Sequence, residues 1–234
     1  MTILLFSITI FLTNVIQGIT GFAGTVLAMP FVILMYGIDT AKPVLMILTS
    51  LSCILIVTRS FRDINVREFV KMAALMFVGV FFGEKLFYLL PTRIILPIYA
   101  VFILLIAFKG LLQKKEGRLP EFLNLPLLLC AGIMQGMFVS GGPLLVSYAV
   151  KKLEKNQFRA TVALIWIPLN VYLLFKQFLS GMLTQHVLHL TLLGCLPLVL
   201  GTVIGAFLYK KMNVQTFLKL TYILLIFSGA SLFL

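Results

Sequence analysis

Residues 17–24 read Gln17-Gly18-Ile19-Thr20-Gly21-Phe22-Ala23-Gly24, and 118 residues later the chain reads Gln135-Gly136-Met137-Phe138-Val139-Ser140-Gly141-Gly142. Each copy is glycine-rich and lies inside a long apolar run. Paired interruptions at corresponding positions of two hydrophobic halves are typical of membrane transporters, whose substrate sites lie at discontinuous helices. The repeat therefore predicts two copies of one structural unit, with a binding site where the interruptions meet.

The composition of the chain is that of an integral membrane protein. Of 234 residues, 61% are hydrophobic and only 11% are charged, and the mean hydropathy is +1.12. A soluble core could not enclose so much apolar surface. Most apolar blocks match the roughly 20 residues that a membrane-crossing helix requires. The blocks run over 2–37, 41–58, 68–91, 94–113, 122–150, 160–181, 185–209 and 214–234. We therefore expect an all-α membrane protein.

The net charge of +12 reflects membrane topology rather than nucleic-acid binding, because the basic residues are clustered between apolar blocks. Fifteen of the 19 lie at 59–71, 109–118, 151–159 and 210–219. The other four are Lys42, Lys85, Arg93 and Lys176. If all eight blocks crossed the membrane once, the basic residues would divide nine to ten between the two sides. Eight simple crossings therefore give no orientation.

A different topology gives a clear orientation. If blocks 2–37 and 122–150 each enter and return on one side as re-entrant hairpins, fifteen basic residues lie inside and four outside. The pieces 2–17 and 25–37 would rise only about 24 and 20 Å, short of a roughly 30 Å hydrocarbon core. Each half then holds one broken re-entrant hairpin plus three transmembrane helices. Because that is an odd number of crossings, the two halves are inverted repeats and both termini lie on the non-cytoplasmic side.

The boundary between the halves is predicted at 114–121, the one extended polar segment, which contains both glycine and proline. The first membrane repeat is then 1–113, the cytoplasmic linker 114–121, and the second repeat 122–234. The pair Gly79 and Gly83 recurs 122 residues later as Gly201 and Gly205, again with four-residue spacing. Such pairs let helix backbones approach closely, so we assign these glycines to helix packing.

The two hairpin tips are the predicted anion-binding site. The helices that restart after Gly24 and Gly142 direct free N–H groups and positive dipole ends at the tips, and glycine lets a ligand approach the backbone. Hydroxyl and amide side chains could add donors. Basic residues are absent from 1–41, 43–58, 119–150 and 160–175, so the site is expected to bind through dipoles and neutral donors. The candidate substrate-binding residues are Gln17, Gly18, Thr20, Gly21, Gly24, Thr25, Gln135, Gly136, Ser140, Gly141, Gly142 and Asn170.

These motifs resemble a known family. Gly21-Phe22-Ala23-Gly24-Thr25-Val26-Leu27-Ala28-Met29-Pro30 is similar to the glycine-rich, proline-ended motif of the TauE/SafE sulfite-exporter family. Ser140-Gly141-Gly142-Pro143-Leu144-Leu145, followed by Arg159-Ala160-Thr161, is similar to its second-half signature. The likeness covers essentially the whole chain in size, repeat layout and motif position. Ala23 within the first glycine cluster and Tyr148 at the position that matches Pro30 depart from the pattern. The resemblance implies transport of small anions, often sulfite or sulfonates, across the bacterial inner membrane.

The sequence thus predicts a secondary-type transporter of small anions that works by alternating access, with the lipid bilayer and a small anionic substrate as partners. An anion channel and a non-transporting membrane assembly partner remain alternatives, and a homodimer is left open. An enzyme is disfavoured, because Ser140 has no histidine inside an apolar block to activate it. No cofactor or metal site is predicted, since His186 and His189 have no third ligand nearby.

Overall fold

The computed structural model describes residues 2–112 and 124–209, together with the helical positions 223, 226 and 230. The described residues form α-helices joined by short turns, with one short 3₁₀ turn at Phe61–Asp63. The α-helices are α1 (Thr2–Thr20), α2 (Ala23–Tyr36), α3 (Ile38–Arg59), α4 (Val66–Leu89), α5 (Thr92–Leu112), α6 (Asn124–Phe138), α7 (Gly142–Lys152), α8 (Lys155–Leu179) and α9 (Gln185–Tyr209). The predicted linker 114–121 lies outside the described residues.

Both glycine-rich stretches break a helix, and the two breaks close in the same way. Gly21 and Val139, which are 118 residues apart, both adopt left-handed backbone, with φ of 81° and 55°. The N–H of Gly21 donates to the carbonyl of Gln17 at 2.7 Å, and that of Val139 donates to Gln135 at 2.9 Å. Glycine adopts this conformation freely, whereas a β-branched valine is strained there. The second break therefore has the same geometry as the first despite a less suitable residue.

Six described helices are long and apolar enough to cross a membrane: α1, α3, α4, α5, α8 and α9, the α5 and α8 spans being Thr92–Lys109 and Asn156–Leu179. The helices α2 and α6 are shorter. The prediction that the first helical piece of the re-entrant hairpin 2–37 ends at residue 17 is wrong. The helix α1 continues through Gly18 to Thr20, so its 19 residues rise about 28 Å. Gly18 lies inside α1 and packs against the backbone of α9.

The contacts between the helices of the two halves are symmetric. In chain order α1 to α4 correspond to α6 to α9, and the two most extensively packed pairs are α1 with α9 and α4 with α6. These two pairs are equivalent when the halves are exchanged. The helices α3 and α8 contact each other, and so do α2 and α7. The third helix of each half therefore lies between the halves and can reach both breaks.

Small residues allow the two large helix pairs to pack closely. A Cβ on Gly83 would lie 2.2 Å from the carbonyl oxygen of Ile133, and a Cβ on Gly205 would lie 2.2 Å from that of Val15. Gly79 contacts α6 and Gly201 contacts α1 in the same way. No side chain fits in such a gap. The assignment of these four glycines to helix packing is confirmed.

Candidate functional site

The tips of the two hairpins lie against each other inside the protein. A Cβ on Gly142, at the start of α7, would be 2.8 Å from Cδ2 of Phe22 and 3.3 Å from its carbonyl oxygen. Phe22 is the residue just before α2, and its side chain is buried. The starts of α2 and α7 are therefore neighbours, so a solute at one break would be close to the other.

A glutamine closes each break from the preceding helix. Oε1 of Gln17 accepts a hydrogen bond from the N–H of Gly24 at 2.9 Å, and Oε1 of Gln135 accepts one from the N–H of Gly141 at 3.1 Å. Each of these bonds satisfies an N–H group at the start of the second hairpin helix. The two glutamines therefore hold the arms of their hairpins together, which is a structural role.

The amide nitrogens of the same glutamines point to the third helix of their own half. Nε2 of Gln17 donates to Sγ of Cys53 at 3.5 Å and to the carbonyl of Gly21 at 3.3 Å. Nε2 of Gln135 donates to Oδ1 of Asn170 at 2.8 Å. Asn170 is fully buried, and its Nδ2 has no hydrogen-bond partner among the described residues. A buried amide N–H without a partner is rare, so Asn170 is the polar group at this break whose hydrogen bonding is incomplete.

The predicted hydroxyl donors are bonded within the protein. Thr20 donates to the carbonyl of Ile16 at 2.9 Å and accepts from two N–H groups at the start of α2. The hydroxyls of Thr25 and Thr49 bond to each other. Ser140 donates to the carbonyl of Phe138 at 2.9 Å and also contacts the hydroxyl of Tyr99 at 2.7 Å. These groups, like the two glutamines, stabilise the breaks and in this conformation have little hydrogen-bonding capacity left for a solute.

Loss of the glutamine bonds should weaken both hairpins. We predict that Gln17→Ala and Gln135→Ala each lower the free energy of unfolding by about 1–3 kcal/mol, because buried N–H groups lose their acceptor. Gln185→Ala, at an exposed position of α9, is the control and should change it by less than about 0.5 kcal/mol. Thermal unfolding of the purified protein in detergent measures all three. An unchanged melting temperature for both buried variants would show that these bonds do not support the breaks.

The remaining predicted site residues are glycines that differ in what they contact, and Gly21 faces the backbone of Arg159 in α8. Gly18 and Gly136 pack against backbone of α9 and α4, with a Cβ placed 2.6 and 2.5 Å from a carbonyl oxygen. Gly24 and Gly141 instead face the first arm of their own hairpins, at 2.5 Å from the carbonyl of Thr13 and 2.2 Å from that of Ala131. Among the tip glycines Gly142 is different, since its nearest neighbour belongs to the other hairpin.

Two basic side chains contact the breaks, although neither is close to a glycine-rich stretch in the sequence. Nζ of Lys42, in α3, donates to the carbonyl of Gly136 at 2.7 Å. Nε of Arg159, in α8, donates to the carbonyl of Gly18 at 2.9 Å. Lys42 is 1% exposed and Arg159 8%. Helices from the opposite half therefore bring two cations near the tips, whereas the sequence predicts an anion site there that uses only dipoles and neutral donors.

A signal for these cations was present in the sequence. Lys42 and Arg159 are 117 residues apart, almost the same separation as that of the repeated motifs. Grouping by charge cluster places Arg159 with the basic residues at 151–159 and leaves Lys42 alone, whereas the offset between the two halves pairs Lys42 with Arg159.

Other contacts complete the surroundings of the breaks. Nε1 of Trp166 donates to the carbonyl of Gly21 at 3.1 Å, so α8 contacts the first break through both Arg159 and Trp166. Nζ of Lys42 lies 3.4 Å from the centre of the Phe87 ring, a cation–π contact. Glu84 is buried and lies 3.9 Å from Nζ of Lys176. Within the described residues, no group of three or more His, Cys, Asp or Glu side chains could hold a metal ion.

The fold and the site define a multi-pass helical membrane protein with two broken helices that meet in its interior. The sequence matches the model of the family described as Sulfite exporter TauE/SafE over residues 6–232. The chain therefore belongs to the TauE/SafE sulfite exporter family, a family of membrane transporters and not of enzymes. The same comparisons find no curated protein and no solved structure that matches it.

Proposed function

We propose that this protein is a secondary-type transporter of small anions, which moves sulfite, sulfonates or related sulfur-containing oxyanions across the bacterial inner membrane by alternating access. Membership in the TauE/SafE family supports the substrate class. The observation that carries the proposal is the contact of two broken helices at Phe22 and Gly142 in the protein interior. Broken helices are tolerated inside a membrane where they line a cavity or are buried in protein, and in transporters they mark the substrate site.

We further propose that the two halves are inverted repeats that enter the bilayer from opposite sides, with both termini non-cytoplasmic. The division of basic residues, fifteen inside and four outside, supports this topology. The symmetry of the helix contacts supports it as well, because the pair of α1 and α9 becomes the pair of α6 and α4 when the two halves are exchanged. In this arrangement α3 and α8 form the surface between the halves, and movement along it would open the site to each side in turn.

The test of this function is transport by the purified protein in liposomes. We predict saturable uptake of sulfite and of methanesulfonate, a simple sulfonate, and acceleration of labelled-anion uptake by unlabelled anion on the other side. Saturation and counterflow are expected of a carrier, because each substrate molecule requires one conformational cycle. Uptake that neither saturates nor shows counterflow would favour an anion channel. Absence of uptake for every small oxyanion would contradict the proposal and leave a membrane assembly role.

A further inference from the structure

The two buried cations at the breaks have corresponding positions and corresponding contacts. Lys42 extends from α3 of the first half to Gly136 in α6 of the second, and Arg159 extends from α8 of the second half to Gly18 in α1 of the first. The donors and the acceptors are separated by 117 and 118 residues. Both halves thus keep a cation at one position, as lysine in one and as arginine in the other. Simple packing would be served by an uncharged side chain, because a charge inside a membrane is costly.

Neither cation forms a direct ion pair with a carboxylate among the described residues, although the carboxylates of Glu84 and Asp39 are near enough to Lys42 to attract it. In the part of the chain that the structure describes, no acidic side chain lies within 4.0 Å of Lys42 or Arg159, and buried Glu84 is paired with Lys176 instead. Outside the described residues, 210–234 contains no acid and 113–123 contains Glu116 and Glu121. A backbone carbonyl carries only a partial negative charge, and the rings of Phe87 beside Lys42 and of Tyr209 beside Arg159 add only weak attraction, so neither cation is in direct contact with a full negative charge among the described residues. An anion that enters the protein and leaves it again would complete the neutralisation.

Among the side chains at the breaks, the cations and Asn170 have donors left for an anion. An arginine has five N–H groups, and within the described residues only Nε of Arg159 is hydrogen-bonded. The nearby hydroxyls and glutamine amides are bonded internally, whereas Nδ2 of Asn170 is not. The planar guanidinium can bind two oxygens of one oxyanion through two parallel hydrogen bonds, a fixed geometry that the ammonium group of a lysine does not provide.

We propose that Lys42 and Arg159 are the anion-binding side chains of the two breaks, and that Arg159 selects oxyanions with two or more free oxygens on one atom. This inference rests on the proposed transport function and names the groups that bind its substrate. Each cation would exchange part of its contact with a helix carbonyl for contact with the substrate. The competing role is structural, since Gly18 and Gly136 lie in the last turns of α1 and α6, where a cation stabilises the helix end.

The test measures binding and transport in full-length protein that carries Lys42→Met, Arg159→Met or Arg159→Lys. The probe is methanesulfonate, with bromide as an anion that cannot be bound through two oxygens. We expect each methionine variant to raise the Kd for methanesulfonate about 10- to 100-fold, the range expected for loss of a charged hydrogen bond. Arg159→Lys should raise it about tenfold and leave bromide binding unchanged. Lys85→Met, which removes an exposed cation from α4, is the control and should keep the wild-type Kd.

Each outcome decides between the roles. Wild-type Kd values and uptake in both methionine variants would overturn the inference while the transport function stands. If the wild type binds methanesulfonate, the methionine variants do not, and none of these proteins takes it up, the inference is supported and the transport function is contradicted. If the wild type neither binds nor takes up methanesulfonate or sulfite, both fall. If the methionine variants do not fold, Arg159→Lys decides: a wild-type Kd and an unchanged preference over bromide would make the cation a helix cap.

Discussion

Replacement of Gly142 by leucine should reduce anion uptake about 10- to 100-fold while the protein still inserts and folds. A side chain at this position would enter the contact with Phe22 of the other hairpin and push the two tips apart. Misplacement of binding groups by about 1 Å can cost a site a factor of this size. The fold should survive, since the first atom met is the edge of a phenylalanine ring, which can turn, and overpacking costs about 1–3 kcal/mol. Uptake into liposomes at equal protein content measures the effect.

The control for this variant is Cys130→Leu, which adds bulk at an exposed position of α6 in the same hairpin. It should leave uptake unchanged. Gly24 is a less informative target than the sequence suggests, because a Cβ there meets the backbone of its own hairpin at Thr13. Loss of uptake in a Gly24 variant would thus report damage to the hairpin. Wild-type uptake in Gly142→Leu would show that the meeting point of the tips is not part of the site.

Replacement of Gly83 by alanine should lower the free energy of unfolding by about 3 kcal/mol or more. The added Cβ would lie 2.2 Å from the carbonyl oxygen of Ile133, so α4 and α6 must separate. Backbone atoms cannot move aside as a flexible side chain can, so the loss of folding free energy should be at the upper end of the range for overpacked cores. Gly205→Ala should have an equal effect, because the same distance separates its Cβ from Val15. Thermal and denaturant unfolding in detergent measure both.

The matched control is Val78→Leu, which also adds one carbon to α4 but at an exposed position. Its free energy of unfolding should stay within about 0.5 kcal/mol of the wild-type value. Equal stability of Gly83→Ala and Val78→Leu would mean that α4 and α6 are not in contact as described. The pairing of the halves through these helices would then be wrong.

Local and repeated features of the fold could be predicted from the sequence. The breaks at Gly21 and at Val139 to Gly141 can be predicted from glycine-rich stretches inside apolar runs, because glycine lowers the stability of a continuous helix. The packing role of Gly83 and Gly205 follows from four-residue spacing, because residues i and i+4 lie on one face of a helix. In both cases the decisive information lies within one turn or one helix.

The contacts that make up the site could not be predicted, because they join residues far apart in the chain. Gln17 and Gln135 were expected to donate to an anion, but their acceptor atoms close the hairpins and their donors bond to α3 and α8. Whether an amide faces a cavity or a backbone N–H depends on the distance between two helices. The spacing of residues along the sequence does not give that distance. Arg159 was assigned to a loop cluster for the same reason, although it is buried against Gly18.

The proposed transport mechanism depends on two hairpins that enter the bilayer from opposite sides, and labelling of single cysteines by a membrane-impermeant reagent tests this topology most directly. The exposed positions Thr2, Gly37, Asp63, Glu154 and Ser180 lie at the ends of helices and suit substitution by cysteine in a protein without its natural cysteines. We predict that Thr2, Gly37 and Ser180 react from the outside, and that Asp63 and Glu154 react only after permeabilisation. Reaction of Thr2 and Gly37, or of Asp63 and Glu154, from different sides would contradict the account.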